Sequence, residues 1–212
     1  MLIGFRDTMT SNTHACPNHL ILVAAFLLLL SSFRGQLLAQ DWVFTFDPEQ
    51  TRVVYTLGDI LHTVQGTFRM KSGFIKFDPA TGGAQGLVIV DATSGKSGSD
   101  GRDQRMHKDI LESQRYREIT FVPDHVQGQI DSQHESQLEI QGVLTLHGTE
   151  HPVIVIARIN PGGDQLNATT RFDIPYVKWG LKNPSSFILR VSSTVAIDIH
   201  AVGRLIDASA NR

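Results

Sequence analysis

From Asp41 onward the apolar residues recur with a period of two. In WVFTF they are Trp42, Phe44 and Phe46; in HTVQGTFRM they are Val64, Phe68 and Met70, with Gly66 in step; in LEIQGVLTL they are Leu138, Ile140, Leu144 and Leu146, with Gly142 in step. Such alternation places successive side chains on opposite faces of an extended strand, one face toward a core and one toward water. The pattern predicts further strands over residues 52–57, 73–77, 87–92, 118–122, 152–159, 165–174 and 187–201. The connections DPATGG, HGTEHP and NPGGD are built from turn formers. Short strands in series with little helix between them predict an all-β fold, either an antiparallel sandwich or a closed barrel. In the last run Phe187, Leu189, Val191, Val195, Ile197 and Ile199 share one parity over thirteen residues, which suits a coiled barrel wall better than a flat sheet.

One helix interrupts the strands. Ser99 or Asp100 can cap a helix over residues 101–113 whose only apolar stripe is Met106, Ile110 and Leu111. A helix with so narrow a stripe lies against a sheet edge or across a barrel end. The triplet Gly95, Lys96, Ser97 before it has the look of a phosphate loop, but the first glycine of GxxxxGK[ST] is replaced by Val90 and Gly98 to Gly101 do not start a helix cleanly. It is predicted to be a mobile connection after a strand ending near Ala92, carrying the cation Lys96 with Arg102 just beyond it.

The first forty residues follow another pattern. Residues 20–30, LILVAAFLLLL, form an unbroken apolar run of eleven. That is short of the about 20 residues needed to span a bilayer and fits the core of a secretory signal peptide, with a cut after Ala39 or Gln40. An uncleaved anchor is the alternative. The chain is 41% hydrophobic and 19% charged with a formal net charge of −2, values of an ordinary globular domain and not of a nucleic-acid-binding surface. Setting aside Arg6, Arg34 and Asp7 of the leader leaves 17 basic against 20 acidic side chains. Cys16, the one cysteine, leaves with the leader, so no disulfide or thiol chemistry is expected. The organisation read from the chain is a signal peptide at 1–40, one domain at 41–205 and a loose tail at 206–212.

Two polar segments could carry chemistry. His147, Gly148, Thr149, Glu150 and His151 spell HxxEH, a metal-hydrolase pattern that needs a helix to bring both imidazoles to one face, whereas this segment lies between two strand patterns and reads as a hairpin turn. On the helix, His107 stands among Arg102, Asp103, Arg105, Lys108 and Asp109, where it could serve as a general base, although no serine or cysteine nucleophile is tied to it by spacing. The aromatic residues fall largely on strand positions. They either fill a solid core or line the pocket that a barrel of about eight strands can leave inside, and periodicity does not separate these cases.

Taken from end to end, residues 41–199 resemble the YceI-like family. WVFTFDPEQTRVVYTL resembles its opening strand pair, HTVQGTFRMKSGFIKFD its His, Gly-x-Phe and Gly-x-Ile-x-Phe-Asp stretch, and RDQRMHKDILESQRYREITF its Arg-Asp, short helix and Tyr-Pro-x-Ile-x-Phe block. GVLTLHGTEHPV resembles its Gly-x-Leu-x-Leu-x-Gly hairpin and YVKWGL its aromatic-Gly turn. Arg117 stands where the family pattern has proline, and residues 174–186 are longer and richer in proline than a minimal family hairpin, suggesting a lid or rim loop. The resemblance implies a lipocalin-like antiparallel barrel of about eight strands with one short helix, periplasmic or secreted from a bacterium, that carries or stores a polyisoprenoid or fatty-acid derivative without transforming it. Burying a chain of about forty carbons would contribute on the order of 10 kcal/mol before ordering costs.

With that fold, the expected cavity lining is Phe68, Met70, Phe74, Phe121, Leu144, Phe172, Trp179 and Phe187, with His62, Arg102 and Tyr176 as rim contacts to a polar head. Which parity faces inward is left open by the sequence. The expected partner is an isoprenoid or fatty-acid-like lipid, with no nucleic acid, no cofactor, no metal, no catalytic residue and no stable membrane span once the leader is removed; a homodimer is compatible with the pattern. The rival readings are a metal-dependent hydrolase using His147, Glu150 and His151, and a ligand-free structural or stress protein of the envelope with a solid core.

Overall fold

Every period-two segment from Asp41 onward with described residues becomes a strand. The computed structural model describes residues 41–58, 63–163, 165–185 and 190–208. Nine strands follow in order: β1 (Trp42–Phe46), β2 (Arg52–Gly58), β3 (Thr63–Phe77), β4 (Ala84–Lys96), β5 (Glu118–Gly128), β6 (Ser136–Leu146), β7 (Thr149–Gly162), β8 (Gln165–Ile174) and β9 (Val195–Asp207). Between β4 and β5 stand a short helix, α1 (Asp100–Arg105), and a π-helical turn (Met106–Ile110). From β3 to β9 each strand pairs antiparallel with the next, and the pairings of β1 and β2 with both β3 and β9 close the sheet on itself. The result is the expected antiparallel β-barrel.

Nine strands make eight wall positions because β1 and β2 lie end to end between β3 and β9. β1 pairs with Phe74 to Phe77 of β3 and Gly203 to Asp207 of β9. β2 pairs with Thr63 to Phe68 of β3 and Ala196 to His200 of β9. The connection between them crosses the gap, where Asp47 N–H donates to the Val202 carbonyl at 2.7 Å. Thr51, almost fully buried, accepts from Val202 N–H at 3.2 Å and donates to its carbonyl at 3.4 Å, replacing the ladder bonds that neither strand supplies.

Alternation sets which residues enter the barrel, and a bulge resets it. Val64, Gly66, Phe68 and Met70 of β3 point inward. Register then slips between Met70 and Ser72, so that inward positions beyond the slip are Gly73, Ile75 and Phe77. One extra residue moves every later side chain to the opposite face. The strands predicted separately at 63–70 and 73–77 are therefore one bent strand, and Phe74 faces outward, 44% exposed, beside outward Leu87 on β4.

Other boundaries also differ from the sequence reading. β4 continues past Ala92 to Lys96 by bulging: Ser94 Oγ accepts from Arg69 N–H at 2.8 Å and donates to the Asp91 carbonyl at 2.6 Å, so side chains repair the interrupted ladder. Gly95 and Lys96 are therefore the end of a strand, and Ser97, just past it, is held by Asp103 and is not a free loop. The helix expected over 101–113 is α1 plus the π turn. The last strand begins at Val195, because Val191 has its backbone bonds taken by Asn183 Nδ2 and Ser185 Oγ. It continues to Asp207, where Trp42 pairs with Asp207 and Ala208 N–H reaches the Asp41 carbonyl, so residues 206–208 belong to the barrel and not to a tail. Among the described residues no helix is long and apolar enough to cross a membrane.

Because Thr51 supplies the bridge across the β1–β2 gap, Thr51→Val should lower unfolding free energy by about 1–3 kcal/mol through an unpaired Val202 N–H. Thr51→Ser should keep most of the stability. Urea unfolding of the two variants checks this; loss in Thr51→Ser with none in Thr51→Val would place the effect in the methyl group instead.

Candidate functional site

The two ends of the barrel are filled differently. At one end Phe44, Ile75, Phe77, Val126, Leu138, Ala157, Ile159 and Leu166 pack into a closed cluster. At the other a cavity of about 260 Å³ remains. Six of the strands reach it, with residues next to that mouth: Tyr55 and Leu57 of β2, Val64 and Phe68 of β3, Ile119 of β5, Leu146 of β6, Ile174 of β8, and Val195 and Ile197 of β9. The next inward positions deeper in the barrel, Phe121, Leu144 and Phe172, pack in the surrounding cluster without lining the cavity. They form its floor. Gly142 makes room for it, since a Cβ there would stand 2.7 Å from Phe121 Cζ.

The mouth is covered by two segments. Met106, Ile110 and Leu111, the narrow stripe of the sequence, all face the cavity from the π turn and its end. The wider turn is pinned by His107, whose Nε2 donates to the Gly95 carbonyl at 2.9 Å and whose Nδ1 accepts from Ser113 Oγ at 2.9 Å. That carbonyl can only accept, which fixes the tautomer. His107 is thereby a staple between cap and wall, not a free base. From the other side comes the segment after β8: Tyr176 and Leu181 are buried, Pro184 lines the cavity, and Tyr176 hydroxyl donates to the Ser192 carbonyl at 2.6 Å. The stretch expected as a lid or rim is, over its described residues, part of the rim.

Polar atoms meet the cavity at one corner. Asp103 Oδ1 accepts from both Ser97 N–H (2.7 Å) and Ser97 hydroxyl (2.6 Å), while Arg102 reaches Ser97 Oγ and its carbonyl at 3.3 and 3.2 Å. Arg105 lines the same corner with no anionic partner among the described residues. The Tyr55 phenol, tilted against Phe68 with ring centroids 5.4 Å apart, is raised above its ordinary range by burial first and by the Asp103 carboxylate second. Burial also raises Tyr176.

The expected lining residues thus separate by depth and face. Phe68, Arg102 and Tyr176 line the cavity. Phe121, Leu144 and Phe172 lie beneath it. Trp179 stacks on His151 at 3.9 Å within the rim and does not line it. Met70 is buried but borders a polar outer groove at the β1–β2 gap, with Arg52, Arg69 and His200. Phe74 is outside the barrel because of the bulge. His62 and Phe187 lie outside the described residues. Sequence reading passed over Tyr55, Ser97 and Arg105; Tyr55 was within reach, being in step with Val53 and Leu57, whereas Ser97 is placed by a bulge and Arg105 by α1.

The HxxEH residues do not assemble. His147 occupies the β6–β7 turn at φ +53° with its Nε2 3.4 Å from Glu112 Oε1, His151 enters the rim, and Glu150 points to the opposite face of β7. Among the described residues no group of three metal-ligating side chains comes together.

Residues 44–203 match the YceI-like domain. The chain belongs to the YceI-like family. A UPF0312 protein of Vibrio cholerae is 29% identical over 150 residues, covering 66% of this chain and 74% of the relative. A UPF0312 protein of Pseudomonas savastanoi is 27% identical over 180 residues, covering 80% and 88%. Among solved structures the YceI-like barrel is similar to BcnA of Burkholderia cenocepacia (TM-score 0.61, 19% identity, 74% of this chain and 98% of that one). It is also similar to a polyisoprenoid binding domain from Saccharophagus degradans (TM-score 0.57, 15% identity, 76% and 97%). Where the YceI-like pattern has proline, Arg117 keeps the corner by its backbone, its carbonyl accepting from Ala92 N–H at 3.0 Å. The adjacent Tyr116 packs on His147 at 4.3 Å and carries the Arg115 guanidinium at 5.0 Å.

A Cβ at position 95 would stand 2.5 Å from Phe68 Cε1 and 2.7 Å from Met106 Cε. Gly95→Ala should therefore push both side chains into the cavity and weaken binding of an apolar fluorescent probe several-fold while the barrel stays folded; unchanged binding would show that the wall yields elsewhere. The raised phenols give a pH signature. Below pH about 10 both are protonated in folded and unfolded chains, so their contribution is complete; above it the unfolded chain releases their protons first and stability falls. The alkaline slope of unfolding free energy should be shallower in the Y55F/Y176F double variant, and an equal slope would contradict burial of these groups.

Proposed function

We propose that this chain is an exported bacterial lipid-binding protein that holds the apolar chain of an isoprenoid or fatty-acid derivative in the mouth-end cavity, for transport or storage and without transforming it. The observation that carries this reading is the cavity itself: walls of aliphatic and aromatic side chains, with polar groups gathered at the single corner of Tyr55, Ser97, Arg102 and Arg105. A site so divided suits a molecule with one long apolar part and one polar end. The polyisoprenoid binding domain with a similar barrel supports the same ligand class. Export is supported by the apolar run at 20–30 within the leader-like residues 1–40.

The hydrolase reading lacks a constellation to support it, since Glu150 faces away from His151 and no three metal-ligating side chains come together among the described residues. The solid-core reading lacks support from the hollow mouth end.

Native mass spectrometry of the protein purified from its own host tests the proposal. A co-purifying lipid mass, released by organic solvent, is the expected result. Protein that carries no lipid and binds no apolar probe would overturn it, and bound zinc would favour the hydrolase instead.

A further inference from the structure

The floor of the cavity limits what can enter it. A protein cavity of about 150 Å³ holds one benzene, six carbon atoms; in proportion, about 260 Å³ holds about ten. Toward the packed end the next inward positions are Phe121, Leu144 and Phe172, which pack in the surrounding cluster without lining the cavity, and a further cluster fills the end beyond. In the lining of the same cavity, the Asp103 carboxylate beside Ser97 is occupied by the Ser97 N–H and hydroxyl, while Arg105 has no anionic partner among the described residues and Arg102 holds only neutral oxygens of Ser97.

We infer that the ligand is a medium-chain amphiphile, with an apolar tail of about ten carbon atoms seated on the Phe121 floor and an anionic carboxylate or phosphate head at Arg102 and Arg105. The inference rests on the lipid-binding reading above and narrows it from a forty-carbon chain to a short one. Cations at the mouth of an apolar cavity favour an anionic head because such charge-assisted bonds are about twice as strong as neutral ones. Each methylene inside the cavity strengthens binding about fourfold, and each methylene beyond the floor's limit stays in water and adds nothing.

Calorimetric titration of the full domain, stripped of lipid, with fatty acids and n-alkyl phosphates of eight to sixteen carbons decides the matter, each ligand kept below its micelle concentration. Affinity is expected to climb about fourfold per methylene to about ten carbons and then level. A climb that continues at the same slope to sixteen carbons overturns the inference while leaving the lipid-binding reading intact; absence of binding by every member overturns the inference, and overturns the lipid-binding reading too when a long-chain isoprenoid alcohol also fails to bind. Decanol binding as tightly as decyl phosphate overturns the anionic head, and the two ligand series separate carboxylate from phosphate. In Phe121→Ala, whose folding is checked by circular dichroism, the plateau should move to longer chains; in the milder Phe121→Leu it should move less, and a plateau unmoved in both folded variants overturns the assignment of the floor.

Discussion

The barrel depends on closure between β3 and β9, and that closure is made by two strands in place of one. A sheet of this twist with a free edge would expose unpaired backbone groups to water and to other chains, and joining its edges removes the exposure. Here β1 covers one half of the seam and β2 the other, with Thr51 bonding Val202 between them. Once the wall is closed by backbone hydrogen bonds all the way round, the inside does not need to be completely filled. One end is packed solid, and the other keeps a cavity.

Closure also fixes what the cavity is. With both faces of every strand assigned, inward residues form layers, and the layer at the mouth borders the cavity. Phe121 over Gly142, with Leu144 and Phe172, separates that space from the packed end. The cap is tied to the same wall by His107 on the Gly95 carbonyl, and the bulge that carries β4 past Ala92 sets Ser97 beside Asp103 and Arg102. Bulge, π turn and polar corner therefore lie in one short stretch of chain between Asp91 and Leu111. Irregular backbone of this kind is often found where a regular scaffold builds a site.

Much of this was legible from alternation. The β6 residues that share a face, from Leu138 to Leu146, follow directly from its spacing, residues 165–174 form a strand with the expected limits, and the stripe of Met106, Ile110 and Leu111 does lie across a barrel end. Parity failed at Phe74 because an inserted residue leaves no mark in a hydrophobic pattern: Lys71 and Ser72 read equally well as an outward residue and a break. Depth along the barrel was not legible either. Phe68 and Phe121 look alike in sequence, yet one lines the cavity and the other floors it, because the stagger between neighbouring strands, which no single strand encodes, sets their height. Ser97 and Arg105 were missed for a related reason, since their meeting at the cavity depends on a bulge and a turn of helix.

The central claim is that an apolar chain rests in the mouth half of the barrel with its far end against the Phe121 floor. A crystal structure with a ten-carbon phosphate brominated at its terminal carbon tests it most directly, because bromine is located by its anomalous scattering alone. The expected bromine position is inside the barrel beside Phe121, below Leu146 and Ile197. Bromine found in the outer groove beside Arg69 and His200, or outside the barrel altogether, would contradict the account.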